Sequence, residues 1–195
     1  MMQNYSEIHN LVFKFENLGT HVAENGAILI GKAPFLGREA WLNKIYPSLT
    51  HEEILELETS LNQRLPVELK SLLNEFSNGL NILSSTLSIY GLRKQLGRSI
   101  EASRQPFSIL TPNKLERPSD SKDSFLFIGG YNWDGSLLYI DIETSKIHCC
   151  TSESANSKFC WKTLDEMLIS EIKRLYTLFD ENGKELKEGT KTIPY

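Results

Sequence analysis

The chain has 195 residues, 40% hydrophobic and 24% charged, with a net charge of −4. That length buries a sizeable core without staples, and that balance excludes a disordered or fibrous chain. Its Lys and Arg residues are scattered, so no basic cluster suits a nucleic-acid backbone, and no run approaches the about 18 apolar residues of a membrane span.

The start, Met1-Met2-Gln3-Asn4-Tyr5-Ser6, has neither the basic opening nor the apolar core of a secretory signal. Three cysteines, two of them adjacent, are no disulfide framework. That cysteine usage makes a reducing cytoplasm the expected compartment.

In chain order, Ile8, Leu11, Val12, Phe15 and Leu18 recur at helical spacing and predict a helix over 5–18, stopped by Gly19. Ala27 to Ile30 reads as a short strand, and Ala40 to Tyr46 as one or two helical turns before Pro47. Thr50 with Glu53 forms a capping box, and Leu49 with Ile54 a hydrophobic staple. Leu65-Pro66 ends that helix and opens another, whose stripe of Leu69, Leu72, Leu73 and Phe76 faces a core. Asn78-Gly79 reads as its left-handed cap.

Beyond Gly79 the pattern turns to strands: 80–83, 87–90, 124–128 stopping at a Gly129-Gly130 turn, 137–142, and 147–150 after a turn at 143–146. The polar stretch Arg93 to Ser121 reads as connecting loops. A last helix opens at Thr163 with Glu166 as a second capping box and runs to Asn182-Gly183. Residues 1–183 therefore read as one α+β domain, with 184–195 as a polar tail.

Candidate chemistry fails on spacing. His148, Cys149, Cys150 and Cys160 are the best metal set, but strand alternation sends Cys149 to one face and His148 and Cys150 to the other. The same alternation spoils a Cys-His dyad. His9, His21 and His51 are scattered over a helix, a loop and a helix start. No Gly-x-Ser-x-Gly elbow occurs, and Gly31 to Arg38 lacks the ending of a phosphate loop. No catalytic residue, metal site or cofactor is expected. The loop between the two strongest strands is the surface candidate, with Tyr131, Trp133 and Asp134. Either its aromatic residues meet a partner, or Trp133 folds back onto the core.

The run Leu49-Thr50-His51-Glu52-Glu53-Ile54, then Leu57-Glu58, Leu65-Pro66, Leu69-Lys70, Leu72-Leu73 and Asn78-Gly79, resembles the opening signature of the SUKH superfamily, the SMI/KNR-like domains. The second half agrees through Phe125–Ile128, Asp134-Gly135, Leu137–Asp141, Ile147–Cys149 and Trp161 to Leu168, although the family's turn usually reads Gly then Asp. The resemblance covers about 49–168. It implies a mixed, largely antiparallel β-sheet flanked by helices, with no shared catalytic residues. It further implies, in bacteria, an immunity protein that binds and neutralises a secreted toxin, often a nuclease. The partner would then be a cognate protein toxin, not nucleic acid and not a membrane. Against a basic nuclease, Asp134, Asp141 and Glu143 would be the acidic groups to face it. The other implied role is a regulatory or scaffold domain of the same fold, tied to cell-wall assembly or signalling.

Overall fold

The computed structural model describes residues 5–97 and 99–195. The start at Met1–Asn4, read as no signal, and Arg98 of the polar stretch lie outside the described residues.

Among the described residues, nine strands form one sheet whose spatial order follows the chain, with every neighbouring pair antiparallel. They are β1 (Thr20–Val22), β2 (Ile28–Lys32), β3 (Trp41–Ile45), β4 (Leu80–Ile82), β5 (Leu87–Ile89), β6 (Phe125–Tyr131), β7 (Leu137–Asp141), β8 (Lys146–Cys150) and β9 (Phe159–Trp161). The helices are α1 (Tyr5–Val12), α2 (His51–Leu61), α3 (Val67–Ser71), the short α4 (Ile100–Ser103) and α5 (Leu164–Tyr176). This is an α+β fold.

The main core lies between one face of the sheet and the apolar stripes of α1, α2, α3 and α5. Ile8, Leu57, Leu69, Leu73, Met167 and Ile172 are fully buried there. The predicted cap of α2 is present in both halves. The Thr50 hydroxyl accepts from Glu53 N, and the Glu53 carboxylate accepts from Thr50 N at 2.9 Å. At α5 only half the box closes. Thr163 Oγ1 accepts from Glu166 N, while the Glu166 carboxylate reaches past the cap to Lys162 N.

Asn43 ties the helices to the sheet. Its buried amide donates to Val12 O at 2.7 Å and to the Tyr176 hydroxyl at 2.8 Å, and its carbonyl accepts from Leu83 N at 3.0 Å. Tyr176 in turn donates to Leu11 O. One polar side chain thereby satisfies groups from α1, α5 and the β4–β5 turn.

Several expected elements differ. Ala40 to Tyr46 is not helical: Trp41–Ile45 is the strand β3, paired on both sides. Burial from both faces removes the polar alternation that would have marked it. The first helix loosens to a 3₁₀ turn from Phe13 to Leu18, and a short strand, β1, follows it unforeseen. Asn78-Gly79 does not cap a helix. A π-helical turn, Leu72–Phe76, continues α3 and gives way at Ser77, in extended conformation, and the Asn78 amide instead accepts from Leu92 N and donates to Leu92 O. α5 stops at Tyr176, and Gly183 turns a separate loop closed by the Asp180 carboxylate on Asn182 N and Lys184 N. Leu178 and Phe179 still pack on the core after the helix has ended, which is why the apolar stripe overran the boundary.

Gly129-Gly130 is not a turn but the middle of β6. A Cβ on Gly129 would lie 2.3 Å from Ser88 O, and one on Gly130 2.6 Å from Ser136 O. Glycine is needed there because backbones crowd a bulge between Phe127 and Gly129, where the register to β7 shifts.

Candidate functional site

The five residues read from the sequence as a partner surface do not form one patch. Tyr131 closes β6 and is buried, its hydroxyl donating to Glu171 Oε2 at 2.6 Å. Burial and the Glu171 charge raise its phenol well above the ordinary value. It belongs to the core because the strand continues through the two glycines. Trp133 does not fold back: 43% of it is exposed, on the loop between β6 and β7. Asp134 is exposed and holds that loop by accepting from Ser136 N and Ser136 Oγ. The C-terminal segment closes over the same end. Ile193 is buried, and the Tyr195 hydroxyl meets Ser136 Oγ at 2.7 Å.

Beside this loop, three consecutive non-glycine residues, Leu83, Ser84 and Ser85, hold left-handed φ of 50°, 53° and 75°. Such a run is strained. Ser84 N donating to Leu42 O and Leu83 N donating to Asn43 hold it in place.

Asp141 and Glu143 lie at the other end of β7, about 15 Å away at about 3.4 Å per residue. Asp141 accepts from Glu143 N and Thr144 Oγ1, so part of its role is to shape the β7–β8 turn. That turn borders a concavity of about 890 Å³. Ile140, Ile142, Pro66 and Val67 give it apolar walls, and Glu68, Glu75 and Asp165 give it acidic ones. Val67 is 83% exposed. Burial, with the charges of Glu75, Asp165 and Glu68, pushes the Tyr5 phenol in this groove up to about 12.

Sequence reasoning missed these three acids. Glu68 and Glu75 stand seven apart, a spacing that puts them on one helical face and was available as a signal. Asp165 is remote in sequence and joins them only because Glu68 Oε2 also accepts from Leu164 N at the start of α5.

The cysteines follow the expected alternation. Cys149 enters the main core, while Cys150 packs with Phe125, Phe127 and Tyr139 on the opposite face. His148 stacks on Tyr139, bonds Ser157 and faces Cys160 across the β8–β9 pair. Burial pushes the Cys150 thiol up to about 12 and raises that of Cys149 further. Titration with a disulfide reagent at pH 8 is therefore expected to modify one thiol per native chain, the exposed Cys160, and the other two only in denaturant. Rapid modification of all three would contradict the burial.

No group of three or more His, Cys, Asp or Glu side chains among the described residues is placed to hold a metal ion. No helix among them is long and apolar enough to cross a membrane.

Comparison with curated proteins and with solved structures finds no significant match. A family match covers residues 48–170, from the residue before the α2 staple to the middle of α5. That span takes in the capped helix pair, β4 to β9 and the acidic groove apart from Tyr5. The chain belongs to the SMI1 / KNR4 family (SUKH-1).

Proposed function

We propose that this protein is an immunity protein: it binds a cognate secreted toxin in the cytoplasm and neutralises it by occlusion, without catalysis. The observation that carries this reading is the family match over the whole capped core. The acidic groove supplies the contact. Its apolar walls, exposed Val67 and acidic rim have the make-up of an interface, an apolar centre within a polar border. Glu68, Glu75 and Asp165, with Asp141 and Glu143 on the adjoining turn, suit a basic partner such as a nuclease. Like-charged groups so gathered would speed encounter with that partner and deter acidic ones.

The test pairs the purified chain with the toxin encoded beside its gene. A stable complex and loss of toxin activity are expected. Glu75→Lys combined with Glu143→Lys should weaken binding tenfold or more, with a reduced salt dependence, while Trp133→Ala should change it less than about twofold. Absence of a complex would speak against immunity and for the regulatory role. A complex indifferent to the double charge reversal would move the contact off the groove.

A further inference from the structure

The groove beside the β7–β8 turn has an aromatic wall as well as acidic and apolar ones. Tyr5 lines it, and Phe76 stacks on the Tyr5 ring, 5.4 Å between centroids and 9° from parallel. Phe76 is not part of the lining, so it backs one face of the ring and leaves the other to the groove. Ser71, also in the lining, hydrogen-bonds the Tyr5 hydroxyl. Stacked from behind and held at its tip, the ring stands as a flat shelf.

Three carboxylates gather round this shelf. Glu68, Glu75 and Asp165 line the same groove, and the charge of each bears on the Tyr5 phenol. They come from the first turn of α3, the π-helical turn that continues it, and the first turn of α5. Glu68 Oε2 accepts from Leu164 N, which fixes the two helix starts against each other. Among the described residues that line the groove there is no Lys, Arg or His. A lysine ammonium would meet the carboxylates, but as a compact, strongly hydrated charge it would gain less from the ring and the apolar walls. A guanidinium uses all three. Its plane stacks on an aromatic face, its fork of N–H donors matches carboxylates, and its methylene stem packs along apolar surface. The concavity of about 890 Å³ falls within the range of ligand-binding pockets and has room for the residues on either side.

We propose that this groove receives an arginine side chain of a protein partner, its guanidinium stacked on Tyr5 and its N–H donors shared among Glu68, Glu75 and Asp165. The identity of the bearer rests on the immunity reading: the arginine stands on the contact surface of the toxin. Tyr5 is then the residue that selects arginine over lysine, and the three acids select cation over neutral side chain.

The full chain is titrated, by NMR, with three capped pentapeptides that share leucine flanks and differ at the centre, which is arginine, lysine or citrulline. The signals of Tyr5 and Val67 report the groove. Saturable shifts are expected there, with arginine about threefold tighter than lysine and about tenfold tighter than the uncharged citrulline. Tyr5→Leu should bring arginine down to the affinity of lysine, whereas Tyr5→Phe should keep the preference because it keeps the ring. Glu75 is exposed, so Glu75→Gln should fold as the native chain does and weaken both cationic peptides by about threefold. That variant keeps the test decisive if Tyr5→Leu disturbs the fold. Equal binding of arginine and lysine, an arginine preference that survives Tyr5→Leu, undiminished binding in Glu75→Gln, or no saturable shift in the groove overturns the proposal. Complex formation with the toxin is read separately. Arginine binding without a toxin complex supports the site and sinks immunity; a toxin complex without arginine binding leaves immunity standing and overturns the site.

Discussion

Replacing Glu171 by alanine is expected to cost about 3 kcal/mol of stability, near the lower end of what breaking a buried ion pair removes. The Glu171 carboxylate is 3% exposed. It accepts the Tyr131 hydroxyl at 2.6 Å and two nitrogens of Arg174, Nη2 at 2.7 Å and Nε at 3.0 Å. Arg174 Nη2 also donates to Thr192 O, so the network joins β6, α5 and the C-terminal segment. Truncation leaves a buried hydroxyl unpaired and a guanidinium without its anion. Arg174 is 32% exposed and recovers some hydration, which holds the loss toward the lower value.

At about 2–4 °C per kcal/mol for a chain of this size, the melting temperature should fall by roughly 6–12 °C. Tyr131→Phe should cost about 1 kcal/mol, the net worth of one hydrogen bond. Replacing Glu171 and Arg174 together with Leu and Met should recover most of the loss, because no buried charge then remains. Urea unfolding of the set measures each step. A Glu171→Ala loss under about 1 kcal/mol would mean that the network does not bind the C-terminal segment to the sheet.

Gly129→Ala is expected to be comparably damaging, about 3 kcal/mol, through overpacking. The added Cβ would stand 2.3 Å from Ser88 O and 3.2 Å from Ile89 Cδ1. Ser88 O is backbone in the neighbouring strand, so relief requires β5 and β6 to part where they pair, at Ser88 with Gly130 and Ile89 with Gly129. Gly97→Ala is the control. Its Cβ would meet nothing nearer than Ala102 Cβ at 3.6 Å, and the change should stay within about 0.5 kcal/mol. Thermal melts of the two variants decide the matter; equal stability would show that the strands have room to separate.

These two substitutions also mark where sequence reading succeeds and where it stops. The Thr50 cap, the stripes of α2 and α5, and the split of Cys149 from His148 and Cys150 were all legible. Each rests on residues at most a few turns apart, whose spacing decides the outcome locally. The family signature was legible for the same reason, since its first half is a capped helix, a Leu-Pro break and a second helix. Trp133 was legible as a loop aromatic, though not whether it faced solvent.

The remainder depended on partners far along the chain. Trp41–Ile45 has no alternation to betray a strand, because its polar members, Asn43 and Lys44, are adjacent, and Asn43 is buried by hydrogen bonds to Val12, Leu83 and Tyr176. Gly129-Gly130 has the composition of a turn, and only the carbonyls of Ser88 and Ser136 make it a strand interior. Tyr131 followed that strand into the core, to a carboxylate forty residues away. The acidic groove needed α3, β7 and α5 to meet. By itself the sequence determined the capped helices α2 and α5, most strands, the α+β class and the family. Tertiary structure alone decided which polar groups share a surface. Local periodicity sets what each segment becomes, but the strand pairings and long-range hydrogen bonds set what each segment faces.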